Sequence, residues 1–247
     1  MQSPERWEMQ FIDSGCEGNV YKYNDYAIKI FLDQENIRNK INKIRKLKNI
    51  KLEQFCLPID FFVNNNAIIG YYMDYVRPNY TLYSEFETKE LTLDDKIKYI
   101  KMQEELVKKA HQNNIIMCDL NLFNFILNDG KIYAIDTDNY KVDGLKNDIL
   151  PDLYAPYYLF NISHNIDENF DKFALTVNFL SYLKKDFYFE LLYYYNDSFN
   201  YLDDYVKSLD IDKRLKEFLL HQISENLNKE YLGDHIDLVS SNKRFIK

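Results

Sequence analysis

The chain has 247 residues, 46% of them hydrophobic, and a formal net charge of −8. That length exceeds the usual single-domain size but falls short of two large independent domains, and it suits two lobes sharing a cleft. The acidic balance, with no basic stripe interleaved with aromatics, argues against a nucleic-acid partner. No secretory leader opens the sequence and no apolar run reaches membrane-spanning length, so no membrane span is expected. Cys16, Cys56 and Cys118 lack metal-type spacing, and reduced thiols in a cytoplasmic chain are the expectation.

Residues 1–10 carry Trp7 and no motif. FIDSGCEGNVYKYNDYAIKIF, residues 11–31, predicts strand, glycine turn, strand, Asn24-Asp25 turn and strand. Gly15 and Gly18 fall in the first turn. Missing Cβ atoms there let backbone N–H groups approach a polyphosphate, with a plain hairpin turn as the simpler alternative. Lys29 alternates out of an apolar strand, flanked by Ile28, Ile30 and Phe31. Residues 34–49 place Ile37, Ile41, Ile44 and Leu47 at helical spacing, and the basic cluster over 38–51 reads as the solvated face of that helix. Residues 56–63 and 67–76 predict two more strands around Asn64-Asn65-Asn66, with Pro78 ending the second.

Thr92 and Asp95 form a capping box opening a helix over 93–112, with Ile97, Ile100, Leu106, Val107 and Ala110 as its buried stripe. His111, near its end, is expected to be structural. Then comes IIMCDLNLFNFILNDGKIYAIDTDNY, residues 115–140. Two short apolar strands flank an Asn128-Asp129-Gly130 turn, and a tight hairpin there brings Asn124 and Asp136 to one open end beside Asp119. Three oxygen-bearing groups so gathered suit a hard divalent cation; turn and capping roles are the alternative. Residues 170–183, FDKFALTVNFLSYL, are apolar almost all round, as befits a buried helix, with Asp171 at its head. From 187 to 247 the pattern is helical and rich in tyrosine.

Taken in order, these pieces resemble the motifs of protein kinases. DLNLFN resembles the catalytic-loop pattern D-x-x-x-x-N, and IDTDNY sits where D-F-G is expected. GCEGNV, aligned on Val20, resembles the later part of G-x-G-x-x-G-x-V, and Ala27-Ile28-Lys29 resembles V-A-I-K. Ala155 and Pro156 resemble the A-P-E element. The resemblance spans roughly residues 11–183 and implies a divergent α+β, two-lobed protein-kinase-like fold of the eukaryotic-like Ser/Thr type. The β-rich N-lobe, with one helix, would cover 1–76, and the mainly helical C-lobe 77–247. ATP and Mg2+ are the implied cofactors. Lys29 would meet the α- and β-phosphates, and Gly15, Gly18, Val20, Ala27, Met73, Asp74, Val76 and Ile126 would surround the nucleotide. Asn124 and Asp136 would hold magnesium, and Asp119 would be the catalytic group that orients the acceptor hydroxyl. In this resemblance Asp171 would hold the backbone of the catalytic loop. The implied reaction transfers the γ-phosphate to a hydroxyl of an unidentified protein substrate, Ser or Thr ahead of Tyr.

The sequence departs from the pattern at several positions. Asp13 stands for the first glycine. Lys40 stands where a glutamate should pair with the strand lysine, leaving Glu35 as the substitute carboxylate nearby. Met117-Cys118 replace His-Arg, which makes the loop non-RD and removes the arginine partner of an activation-segment phosphate. Thr137 is the only Ser or Thr from 136 to 156. Asn121 replaces a lysine, Asp138 the glycine of D-F-G, and Tyr157 the glutamate of A-P-E. These departures keep two alternatives open: a catalytically silent kinase-like scaffold, and a small-molecule phosphotransferase of the aminoglycoside or choline kinase type.

Overall fold

The computed structural model describes residues 4–33, 37–77, 80–142, 144–145, 166–194, 197–224, 229–233 and 235–236. At the front, β1 (Gln10–Ser14), β2 (Gly18–Tyr23), β3 (Tyr26–Phe31), β4 (Pro58–Asn64) and β5 (Ala67–Asp74) form one antiparallel sheet in the order β1-β2-β3-β5-β4. The hairpin turns follow from their asparagines: Asn24, Asn65 and Asn66 all have positive φ, which a short polar side chain tolerates better than a branched one.

Strand alternation sorts the residues of β3 onto two faces. Ala27 and Phe31 pack with Ile44, Cys56, Tyr71 and Met73, while Ile28 joins Phe62 and Tyr72 on the other side. Lys29 shares the face of Ala27 and Phe31, so it points towards helix α1 (Ile37–Leu47) and the rear of the molecule. The basic cluster is not simply a solvated helix face. Lys43 is buried and Lys40 half-buried, because Ile44 and Leu47 are fully buried and turn that side of the helix inward.

The rear is mainly helical: α2 (Leu82–Thr88), α3 (Leu93–His111), α4 (Glu168–Leu183), α5 (Phe187–Tyr193), α6 (Ser198–Ser208) and α7 (Lys213–Ile223). Thr92 and Asp95 cap α3 reciprocally, each side chain accepting from the other's backbone N–H at 3.1 Å. The helix ends at His111, one residue short of the expected range, with Gln112 as its cap. Helix α4 is the centre of the large core, with Phe170, Ala174, Leu175, Val177, Phe179 and Leu180 fully buried. No helix among the described residues is long and apolar enough to cross a membrane.

Short strands complete the rear: β6 (Tyr80–Thr81), β8 (Phe125–Asn128) and β9 (Lys131–Ala134) form one sheet, and β7 (Ile115–Ile116) pairs with β10 (Lys141–Val142). The segment before β4 joins front to rear. Cys56 N donates to Ala134 O at 2.9 Å, and Ala134 N to Gln54 O at 2.8 Å. For that reason β4 begins at Pro58, two residues later than the sequence pattern predicts: the backbone of Cys56 is already engaged with β9. Strand β5 ends at Asp74, two residues early, as Tyr75 N turns to Asp25 O at 3.0 Å. Pro78 and the Ala155-Pro156 element lie outside the described residues.

Candidate active site

The turn that carries Asp119 is held from below. Asp171, wholly buried at the head of α4, accepts from Met117 N at 2.8 Å and Cys118 N at 2.9 Å. His111 Nε2 lies 2.9 Å from the same carboxylate and its Nδ1 2.8 Å from Tyr231 Oη, a fully satisfied structural histidine. Asn178 Nδ2 donates to Leu120 O at 2.7 Å. These anchors impose a left-handed conformation on Cys118 (φ 66°), costly for a side chain of that kind, and strain of this sort concentrates at functional sites.

Asp119 is thereby held half-buried on the loop with Asn121 Nδ2 donating to its Oδ1 at 2.7 Å. Asn121 also caps the short turn Leu122–Asn124, its Oδ1 accepting from Phe123 N at 2.9 Å, so its position is fixed from both ends. Burial raises the pKa of Asp119 above the usual carboxylate range, against hydrogen bonds from Asn121 and Asn124. Asn124 Nδ2 donates to Asp119 O at 3.2 Å, leaving its Oδ1, the atom a cation would need, outside that bond. Ile135 N donates to Asn124 O at 2.9 Å, which closes the hairpin and brings Asp136 to the same end. Asp129 and Gly130 take positive φ in its turn, as the Asn-Asp-Gly sequence predicts.

Lys29 reaches this hairpin end from the front sheet. Its ammonium contacts Asp136 Oδ1 and lies 2.8 Å from Asp138 Oδ1. Burial alone would lower the pKa of Lys29, but Asp138 and then Asp136 overcome that and hold the ammonium well above its usual range. Burial also works against ionised Asp138, yet Lys29 and Lys40 hold its pKa below the ordinary carboxylate range. For Asp136 burial prevails, aided by the charge of Asp138, and the pKa rises although Lys29 opposes it.

Lys40, which stands in the sequence where a glutamate is expected, reaches the same network from α1. Its Nζ lies 2.9 Å from Asp138 Oδ2 and 2.7 Å from Glu17 Oε2. Glu17 belongs to the glycine turn, lies 3.7 Å from Lys29 and accepts from Asn139 Nδ2 at 3.1 Å. Glu35 lies outside the described residues. The sequence reading did not single out Glu17, Tyr71 or Asn139. Tyr71 sits directly opposite Lys29 in the β3–β5 register, a pairing that only the fold creates, and its Oη donates to Asp138 Oδ1 at 2.8 Å.

Of the remaining expected nucleotide residues, Val20, Ala27, Met73 and Val76 pack in one front cluster. Gly18 runs so close to β3 that a Cβ there would sit 2.8 Å from Ile30 O and 3.1 Å from Lys29 Cγ. Ala27 pairs with Met73 across β3 and β5, and both are buried, while Val20 pairs with Lys29. Ile126 on β8 is buried, and Asp74 and Val76 lie at and just beyond the end of β5. Gly15 N donates to Gly18 O at 2.9 Å, closing the turn. Thr137 is fully buried with its hydroxyl donating to Cys56 O at 3.1 Å, which removes it as a modifiable side chain in this fold.

A concavity of about 520 Å³ lies on the rear between α2, the end of α4 and α5, lined by Tyr83, Phe86, Lys96, Leu122 and Tyr188 among others. It holds none of Lys29, Asp119, Asn124 or Asp136. The side chains that carry chemistry gather in the charged network, apart from this concavity.

Residues 19–141 match the family model described as RIO1: RIO domain. No curated protein matches the chain. The matched stretch contains Lys29, Asp119, Asn124 and Asp136 and leaves out Gly15 and Gly18. The RIO domain belongs to the atypical, kinase-like, ATP-binding phosphotransferases. With a β-rich antiparallel front, a helical rear and that match, the chain is a divergent, non-RD member of the protein kinase superfamily.

Proposed function

We propose that the chain transfers the γ-phosphate of ATP to a Ser or Thr hydroxyl of a protein substrate, with magnesium, in the cytoplasm. One observation carries this reading. Lys29 from the front sheet meets Asp136 from the rear hairpin, while hydrogen bonds tie Asn124 and the Asp119 loop to the same hairpin end. The donor set fits a hard cation beside phosphates: an amide oxygen at Asn124 and a carboxylate at Asp136, with a lysine between them and the glycine turn. Bound magnesium would neutralise charge developing on the phosphates.

The chain's own residues would do the rest by positioning. Lys29 binds the α- and β-phosphates, and the turn of Gly15 and Gly18 covers the polyphosphate from above. Asp119, fixed by Asn121, orients the acceptor hydroxyl and receives its proton. Its raised pKa suits a group that must accept a proton and later release it.

The test compares the parent with Asp119→Ala, using radiolabelled ATP with magnesium, offered separately to protein extract and to metabolite pools. We expect label in protein, recovered as phosphoserine or phosphothreonine. Asp119→Ala should lose transfer by about a hundredfold or more while keeping its nucleotide affinity. Equal transfer by that variant would overturn the role of Asp119, and label confined to metabolites would overturn the protein acceptor.

A further inference from the structure

Two departures from the kinase pattern, Lys40 on α1 and Asp138 after the hairpin, lie against each other in the fold. Asp138 has no exposed surface and both of its oxygens are used. Oδ1 receives Lys29 Nζ and Tyr71 Oη, each at 2.8 Å, and Oδ2 receives Lys40 Nζ at 2.9 Å. Those donors come from β3, β5 and α1, so one carboxylate ties the sheet to the helix. Asp136 is held differently. Its side chain is 32% exposed, and its hydrogen bonds come from Lys29 and, at 3.5 Å, from Asn139 Nδ2.

We infer that Asp138 is the positioning residue for Lys29, standing in for the missing helix glutamate, and that Lys40 serves to hold Asp138. The inference rests on the reading of Lys29 as the phosphate-binding lysine. Its physical basis is charge order. A helix carboxylate would meet Lys29 directly, whereas here a helix lysine faces it and the like charges are separated by a buried acid. Removing one member of such a set strands a buried charge, so the residues act together and not additively. The division of labour also leaves Asp136 available. A carboxylate with three fixed donors stays with the lysine, and the more exposed one can leave it.

The test is a charge exchange. Asp138→Asn and Lys40→Glu are made singly and together, and two properties are read. The first is ATP affinity by calorimetry. The second is acetylation of Lys29 by acetic anhydride in the nucleotide-free protein, followed by mass spectrometry. Asp138→Asn should weaken ATP binding about tenfold and speed acetylation of Lys29. Lys40→Glu alone crowds carboxylates around Asp138 and should also lose affinity. In the double variant Glu at position 40 replaces the lost carboxylate, and both readouts should return most of the way to the parent.

A double variant no better than the worse single variant overturns the inference, as does Asp138→Asn behaving like the parent. Should Asp138→Asn fail to fold, Lys40→Met decides: faster acetylation of Lys29 supports the assignment, and an unchanged rate overturns it. Absence of ATP binding by the parent itself would count against the proposed phosphotransfer, and the acetylation readout would still decide the role of Asp138.

Discussion

Asp171 carries no exposed surface, and each of its oxygens answers a backbone N–H of the turn that presents Asp119. A buried carboxylate costs much solvation, and here two amides and His111 repay it. Asp171→Ala should therefore destabilise the protein by roughly 3–5 kcal/mol, since it leaves buried donors without an acceptor. Urea unfolding followed by circular dichroism measures this, and a loss below about 1 kcal/mol would mean that the loop is held by other means. Asp171 was legible in the sequence because it heads a long apolar helix, where an acid is conspicuous. Asp138 was legible only as an oddity. Its meaning depends on Tyr71, Lys29 and Lys40, which come from separate elements and share no local pattern. Residues joined only by the tertiary fold leave no spacing to read.

At the scale of the element, strand β5 approaches β3 closely at Gly70. A Cβ there would lie 2.1 Å from Lys29 O and 3.0 Å from Lys29 C, both backbone atoms that cannot swing aside. Gly70→Ala must push apart the two strands that place Lys29, so it should cost about 1–3 kcal/mol and weaken ATP binding several-fold. Gly130 is the internal control: its φ is +74° but nothing lies within 4 Å of a Cβ. Gly130→Ala should cost about 1–2 kcal/mol of backbone strain and leave ATP affinity alone. Thermal melts with calorimetry on both variants separate the effects, and equal affinities in the two would refute the coupling. The strands and hairpins were legible because their turns are marked by Asn, Asp and Gly and their interiors alternate. The start of β4 was not, because the pairing of Phe55 with Ala134 across front and rear competes for that backbone.

Across the whole molecule the front and rear are filled by different cores, and tyrosine is buried in both. Tyr71 belongs to the front cluster, Tyr140 and Tyr182 to the rear one. Burial first, then the charges of Asp138 and Asp136, raises the pKa of Tyr71 well above its ordinary value. Burial with Asp171 does the same for Tyr140, and burial with Tyr188 for Tyr182. The sign follows directly. A phenol whose pKa is raised by folding keeps its proton in the native state, while the unfolded chain releases it above about pH 10. The unfolded state then binds fewer protons, so stability is whole below that pH and falls as pH rises beyond it. Absorbance at 295 nm during alkaline titration should show the exposed phenols among the 22 tyrosines ionising first. A later step should coincide with loss of the circular dichroism signal, and Tyr71→Phe should make that step smaller by one phenol. If all the tyrosines ionised in one smooth curve while the fold persisted, the three rings could not be sealed inside two packed cores as described.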